Sequence, residues 1–307
     1  MLEVKDNYFN STFNVKKLLI MCKIYNNDII NKIINSSLEN SNTYDYVDEI
    51  TIEKLINLVN LYTNNDISRD IRIMKQIFTS KLTLIPIIFG MYSTNKSSTS
   101  VDLSYYLDIP NIIQTKTISE TLVLGNAIDN LSLNISNDND KTNFNTYINS
   151  YMNKCKIISK SVRFEIEKSL KQGKSKIFCG FNLFIPYIFE MIHYDIFPKP
   201  EYLCETKNNN STMISYLYYL CNKNKYKTSG LFFPIILNVE NFHVNDYNDI
   251  FFNEQKYIFN KTINNEFRWP IKIINHDPKN PQNSSKMIHT YILETLRVLY
   301  YTGKWII

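Results

Sequence analysis

The chain has 307 residues, of which 44% are hydrophobic and 21% charged, with a formal net charge of +5. Such length and apolar content can bury one large core or two modest ones, which excludes an intrinsically disordered chain. The mild basic balance permits an anionic partner but is also what a lysine-rich solvated surface gives, so it singles out no ligand.

Residues 14–80 carry helical periodicity: VKKLLIMCKIYNNDIINKIIN, TIEKLINLVNLY, and DISRDIRIMKQIF with Asp66 as its N-cap. From Leu82 the pattern becomes short β-branched runs. LTLIPIIFG, SYYLDI, TLVLG and LSLNIS read as strands, with NKSSTS and NDNDKTN as turns. A long helix over 143–172 follows, then a strand at KIFCGF, the apolar LFIPYIFEMIHY, a strand near EYLCE, and MISYLYYLC. The last part holds FFPIILNV, the lysine- and aromatic-rich EQKYIFNK, WPIKII and a helix at SKMIHTYILETLRVLYY. Strands alternating with helices predict an α/β fold, a parallel or mixed sheet with helices on both faces. The domain division expected is a helical extension over 1–65 and a main domain over 66–307.

Residue usage is skewed. One alanine (Ala127), six glycines and nine prolines stand against abundant Asn, Ile, Lys and Tyr. These are the residues AT-rich codons encode, so mutation pressure in an AT-rich genome, such as that of an insect poxvirus or a cytoplasmic linear plasmid, accounts for them before function does. The 14% aromatic content is therefore weak evidence for base stacking. No basic segment leads into an apolar one at the N-terminus, and the longest apolar run, LTLIPIIFGMY, is far short of a membrane span. A cytoplasmic location without a membrane partner is expected. Cys22, Cys155, Cys179, Cys204 and Cys221 contain no C-x-x-C pair and the four histidines are scattered, so no metal site is expected.

The segment KQGKSKIFCGF contains G-K-S, the tail of a phosphate-binding loop. Such a loop needs a glycine five residues before its Gly-Lys pair and the order strand, loop, helix. Here Lys168 holds the glycine position and the order is helix, glycine, strand. Gly173 is read instead as a helix C-cap, with Lys168 and Lys171 placed against the negative end of the helix dipole.

A helix ending at a glycine, a lysine-bearing strand, a helix and a strand with a serine-rich loop resembles the closing half of Rossmann-like 2′-O-methyltransferases. The spacing Lys176, Cys179, Phe181, with EQKYIFNK, WPIKII, NPQN and TYILETLRVLYY downstream, is similar to the poxvirus poly(A) polymerase small subunit, which doubles as cap-specific mRNA 2′-O-methyltransferase. The resemblance covers about residues 66–301. It implies S-adenosylmethionine as cofactor, with Gly90 in the glycine turn after the first strand and Asp108 on the ribose hydroxyls. It implies Lys75, Asp138 and Lys176 as three members of a Lys-Asp-Lys-Glu tetrad that activates a ribose hydroxyl. It further implies Phe181 as a ring stacked on the methylated guanine of a cap and Glu254 as a carboxylate on that base's edge.

The departures from that pattern matter as much. Of the glycine-rich turn only Gly90 survives in IIFGMYSTN, Asp138 is one place out of register, the tetrad's glutamate has no counterpart in NNNSTMISYLYY, and Asn182 and Leu183 stand where a second cap-binding carboxylate belongs. A lysine without its carboxylate holder is a poor base. The expectation is a degenerate methyltransferase-like accessory subunit in viral mRNA processing that binds RNA or capped mRNA beside the catalytic subunit of a poly(A) polymerase or a capping enzyme. A stimulatory capping-enzyme subunit and a virion scaffold protein are the alternatives.

Overall fold

Residues 83–90 and 230–238 are apolar at almost every position, as strands buried on both faces must be. They pair in parallel from Thr83↔Gly230 to Gly90↔Leu237 and form the centre of a six-stranded sheet. The computed structural model describes residues 3–5, 12–38, 49–63, 67–80, 82–91, 94–125, 141–184, 187–188, 217–219, 230–239 and 271–301. In chain order its elements are strands β1 (Glu3–Lys5) and β2 (Thr12–Asn14), helices α1 (Val15–Met21) and α2 (Asn27–Leu38), β3 (Glu49–Thr51), α3 (Ile52–Tyr62), α4 (Ser68–Ser80), β4 (Thr83–Gly90) and α5 (Lys96–Leu107). There follow β5 (Ile112–Gln114), α6 (Thr115–Leu124), α7 (Lys141–Gln172), β6 (Ile177–Gly180), β7 (Leu217–Tyr219), β8 (Gly230–Asn238), β9 (Lys272–Asn275) and α8 (Pro281–Tyr301).

The chain divides into two compact units: residues 1–81, 105–108 and 289–307, and residues 82–104 with 109–288. The first unit takes in more than the extension expected over 1–65, because α4 and the end of α8 belong to it. In this unit β1 pairs β2 antiparallel and β3 parallel, a small sheet in a region expected to be helical. Helices α2 and α3 pack through the buried Ile30, Ile33, Leu55 and Val59, and Arg297 of α8 holds Asp70 of α4 through two hydrogen bonds of 2.7 Å.

In the second unit the sheet order is β5-β6-β4-β8, with β9 parallel to the far half of β8 and the short β7 antiparallel to its near half. Counted along the chain, the five parallel strands run 2-3-1-4-5. The dinucleotide-binding Rossmann order, 3-2-1-4-5-6, places the second strand beside the first, where this sheet places the third. Helix α7 covers one face with the stripe Tyr151, Cys155, Ile158, Val162, Ile166 and Leu170, against Ile85, Ile87 and Phe89 of β4 and Phe232 and Ile236 of β8. Each such fully buried side chain contributes about 1.5–3 kcal/mol. The alternate residues Leu84, Ile88, Phe233, Ile235 and Leu237 are buried as well, so both faces are covered.

The α/β class, strands β4 and β6, and the long helix packed on the sheet agree with the sequence reading, which gave FFPIILNV no element although it forms the central strand β8. Three expectations are corrected. SYYLDI is the end of α5, NKSSTS is its beginning, and TLVLG lies in α6 and its cap. Residues Thr99, Ser100 and Leu103 of α5 are all fully buried, and a stripe that mixes hydroxyls with apolar groups hides its helical period. The expected strands LSLNIS and EYLCE lie outside the described residues, as does Asp66.

Candidate functional site

In an open parallel sheet, ligands bind outside the carboxyl ends of the strands, where connections diverge to either side. Here that edge is formed by Gln114, Gly180, Gly90, Asn238 and Asn275, in the order β5, β6, β4, β8, β9. Two of the six glycines stand on it. A Cβ at Gly90 would lie 3.1 Å from Thr94 Oγ1 and 3.2 Å from Leu237 Cβ; one at Gly180 would lie 1.8 Å from Thr115 Oγ1. Both positions need a bare backbone for close approach of a neighbour.

From Gly90 the chain turns and enters α5 at Lys96, giving the order strand, loop, helix. The turn reads G-M-Y-S-T-N-K-S: Gly90, four residues, then Asn95, Lys96 and Ser97. This is the spacing of G-x-x-x-x-G-K-[ST], with asparagine in place of the second glycine. Asn95 has φ +48°, in the left-handed region that glycine favours and asparagine tolerates better than most residues. Its carbonyl accepts the first helical bond from Thr99 N–H at 3.1 Å, and its Nδ2 donates to Pro278 O at 2.7 Å. Residues 92–93, in the middle of the turn, lie outside the described residues.

Lys96 folds back over this turn. Its Nζ donates to Met91 O and, at 3.1 Å, to Thr94 Oγ1, which itself donates to Met91 O at 2.9 Å. Burial pushes the ammonium down to about 8, against the pull of the neighbouring Cys179. Burial in turn raises the Cys179 thiol, with opposing effects from a hydrogen bond to Ser100 and from Lys96, so at neutral pH it is an uncharged neighbour at the end of β6. The first turn of α5 carries no acidic residue, and its amino end presents partial positive charge toward the same edge. The arrangement gathers a cation and a helix amino terminus at a strand end, which suits a phosphate group.

The segment after β9 closes the other side. His276 N–H donates to Asn238 O at 2.7 Å, and its Nδ1 pairs with Ser284 Oγ at 2.7 Å. Burial lowers the imidazole below the ordinary histidine range. The Thr94 backbone and Asp277 oppose this, and the charge on Lys96 adds to it.

No family model, curated protein or solved structure matches the chain.

Among the described residues singled out from the sequence, two stand at this edge and two do not. Gly90 does, and so does Phe181, which follows β6 half-buried, its ring 4.7 Å from that of Tyr151 and its carbonyl accepting from Tyr151 Oη at 2.7 Å. Lys176 lies at the opposite end of the sheet. It precedes β6 by one residue, its N–H donates to Leu84 O, and it stands four residues before Gly180, about 13 Å along a strand. There its Nζ is buried against Glu165 Oε2 of α7 at 2.5 Å.

Asp108 ends α5 with φ +51° and accepts from Lys17 Nζ at 2.6 Å; it follows a helix, where the sequence reading placed it after a strand. Lys75 lies in α4, but its side chain falls outside the described residues, as do Asp138 and Glu254 altogether. The sequence reading missed Asn95, Lys96 and His276. The signal for the first two was a Lys-Ser pair six residues after a glycine that ends an apolar run, and the requirement for a second glycine concealed it.

Proposed function

We propose that residues 82–104 and 109–288 form a nucleotide-binding domain whose turn from Gly90 to Ser97 takes the di- or triphosphate of the ligand. The observation that carries this reading is Asn95, held left-handed between β4 and α5 and followed at once by Lys96. A positive φ there aims the following backbone N–H groups into the turn, as a second glycine would. Lys96 then supplies the point charge for the phosphates. Its ammonium donates to Met91 O and Thr94 Oγ1, contacts that a phosphate oxygen would replace.

The methyltransferase-type reading, an accessory subunit binding RNA or a cap, draws support from Phe181, which is half-exposed beside the same strand ends. It draws none from Lys176, which is taken up by Glu165 at the far end of β6. Thermal melts of the full chain with ADP, ATP, S-adenosylmethionine and a capped oligonucleotide separate the two. At a hundred times its Kd a ligand stabilises by about 2.7 kcal/mol, a shift of several degrees. A shift with ADP or ATP that Lys96→Ala abolishes is expected. A shift with S-adenosylmethionine alone would overturn the nucleotide reading.

A further inference from the structure

We infer that the solvent face of α7 binds a single-stranded nucleic acid, its lysines taking the phosphates and Phe164 stacking on a base. This surface includes no residue of the turn at Gly90 and none that the sequence resemblance set against RNA. Residues 149–176 hold eight of the chain's 34 lysines and arginines but two of its 29 acidic residues. That excess of six is larger than the +5 of the entire chain, so the basic balance read from composition is concentrated on one segment. The two acids are already neutralised, Glu165 by Lys176 at 2.5 Å and Glu167 by Arg163 at 3.0 Å.

Lys156, Lys160, Phe164 and Lys168 follow one another at intervals of four, Lys171 stands one turn further, and all five are exposed. The stripe from Cys155 to Leu170 on the other side of the helix is buried on the sheet, so this row faces straight out from the core. Lys156, Lys160 and Lys168 form no ion pair among the described residues. From Lys156 to Lys168 the helix rises about 18 Å, the length of about five nucleotides of a stacked strand.

A lysine row by itself would suit any polyanion, and Phe164 decides for a nucleic acid. Its ring is 66% exposed in the middle of the row, where packing on the sheet does not account for it. Beside it opens a cleft of about 710 Å³, walled by Lys160, Ser161 and Phe164 of α7 and by Ile113, Gln114 and Thr117 of β5 and α6. The ring offers a π-face, Lys160 a cation next to it, and Gln114, Thr117 and Ser161 hydrogen-bonding groups, which together suit an unstacked base. A duplex keeps its bases stacked inside, so the single strand is the form that can present one.

The test is fluorescence anisotropy of the full chain with a labelled, uncapped single-stranded oligonucleotide of about 12 nucleotides, titrated at several salt concentrations. Wild type should bind with an affinity that falls as salt rises, by about 0.7 in the logarithmic slope for each phosphate neutralised. The triple variant Lys156→Gln, Lys160→Gln, Lys168→Gln should flatten that slope by about 2. Phe164→Leu keeps an apolar side chain without a π-face. It should weaken binding about 5- to 100-fold at unchanged slope, and Phe164→Trp should restore it.

An unchanged slope in the triple variant would overturn the inference, as would equal affinity of Phe164→Leu and wild type, or a duplex of the same sequence binding as tightly as the single strand. Absence of oligonucleotide binding would overturn it outright, and binding in its place to vesicles of an anionic phospholipid or to polyglutamate would give the row to another partner. All four substituted side chains are exposed, so the variants should melt as wild type does. If one does not fold, ultraviolet crosslinking of wild type to the oligonucleotide decides: the crosslinked peptide must contain Phe164, and a crosslink elsewhere overturns the assignment. None of these outcomes bears on ADP binding, which Lys96 carries and α7 does not.

Discussion

Replacing Glu165 by alanine removes the partner of a buried lysine. The Lys176 side chain is 8% exposed and that of Glu165 26%, and their 2.5 Å contact ties the start of β6 to α7. Breaking a buried pair from one side costs about 3–5 kcal/mol because the remaining charge is left in low dielectric. Glu165 is a quarter open to water, so the lower end, about 3 kcal/mol, applies. Amide hydrogen exchange at Ile177–Gly180 reads the loss locally, and 3 kcal/mol corresponds to about a 100-fold fall in protection if those amides exchange through unfolding of this unit. The double variant Glu165→Leu with Lys176→Met should recover most of it, because a packed apolar pair of similar volume replaces the ions at little net cost. Unchanged protection in Glu165→Ala would refute the pairing and return Lys176 to the set of side chains available for chemistry.

Gly180→Ala places a Cβ 1.8 Å from Thr115 Oγ1 and 2.9 Å from Thr115 Cβ; chemical denaturation should show a loss of about 1–3 kcal/mol, partly recovered by Thr115→Ala, which removes the nearer atom. In the first unit, Arg297→Lys keeps the charge but cannot reproduce the two 2.7 Å bonds to the buried Asp70, and a loss of about 1–2 kcal/mol is expected in the same assay. His289, whose ring nitrogens pair with Tyr25 Oη and Met21 O, is pushed down to about 4 by burial. Its folded value lies below its unfolded one, so its contribution is complete above about pH 6.5 and is lost as pH falls toward 4, at up to about 1.4 kcal/mol per pH unit. A His289→Gln variant should show a flatter acid limb in melting temperature against pH, and an unchanged limb would count against the shift.

The central strand at LTLIPIIFG was legible because it is a short, β-branched apolar run without a break, as a strand buried on both faces requires; FFPIILNV carries the same kind of run at β8, but the sequence reading gave it no element. The glycine cap was legible too: Gly173 has φ +64° directly after α7 and closes it as read. Helix α5 was not, because its first half is hydroxyl-rich. Ser, Thr and Asn compete with helix by bonding to the backbone, and here Thr99 and Ser100 do so within the helix, on Asn95 O and Lys96 O. Reading NKSSTS as a turn removed the helix that must follow a phosphate loop, and with it the meaning of Gly90 and Lys96. His276 carried no local signal at all, since its place beside Thr94 depends on β9 joining the sheet next to β8.

The central claim is tested most directly by equilibrium binding of a fluorescent ADP analogue to wild type and Lys96→Ala, with unlabelled ADP as competitor. Saturable binding that unlabelled ADP displaces, weakened about 10- to 100-fold by the loss of the ammonium, is the result this account predicts. Equal affinity in the two proteins, or no saturable binding to wild type, would contradict it.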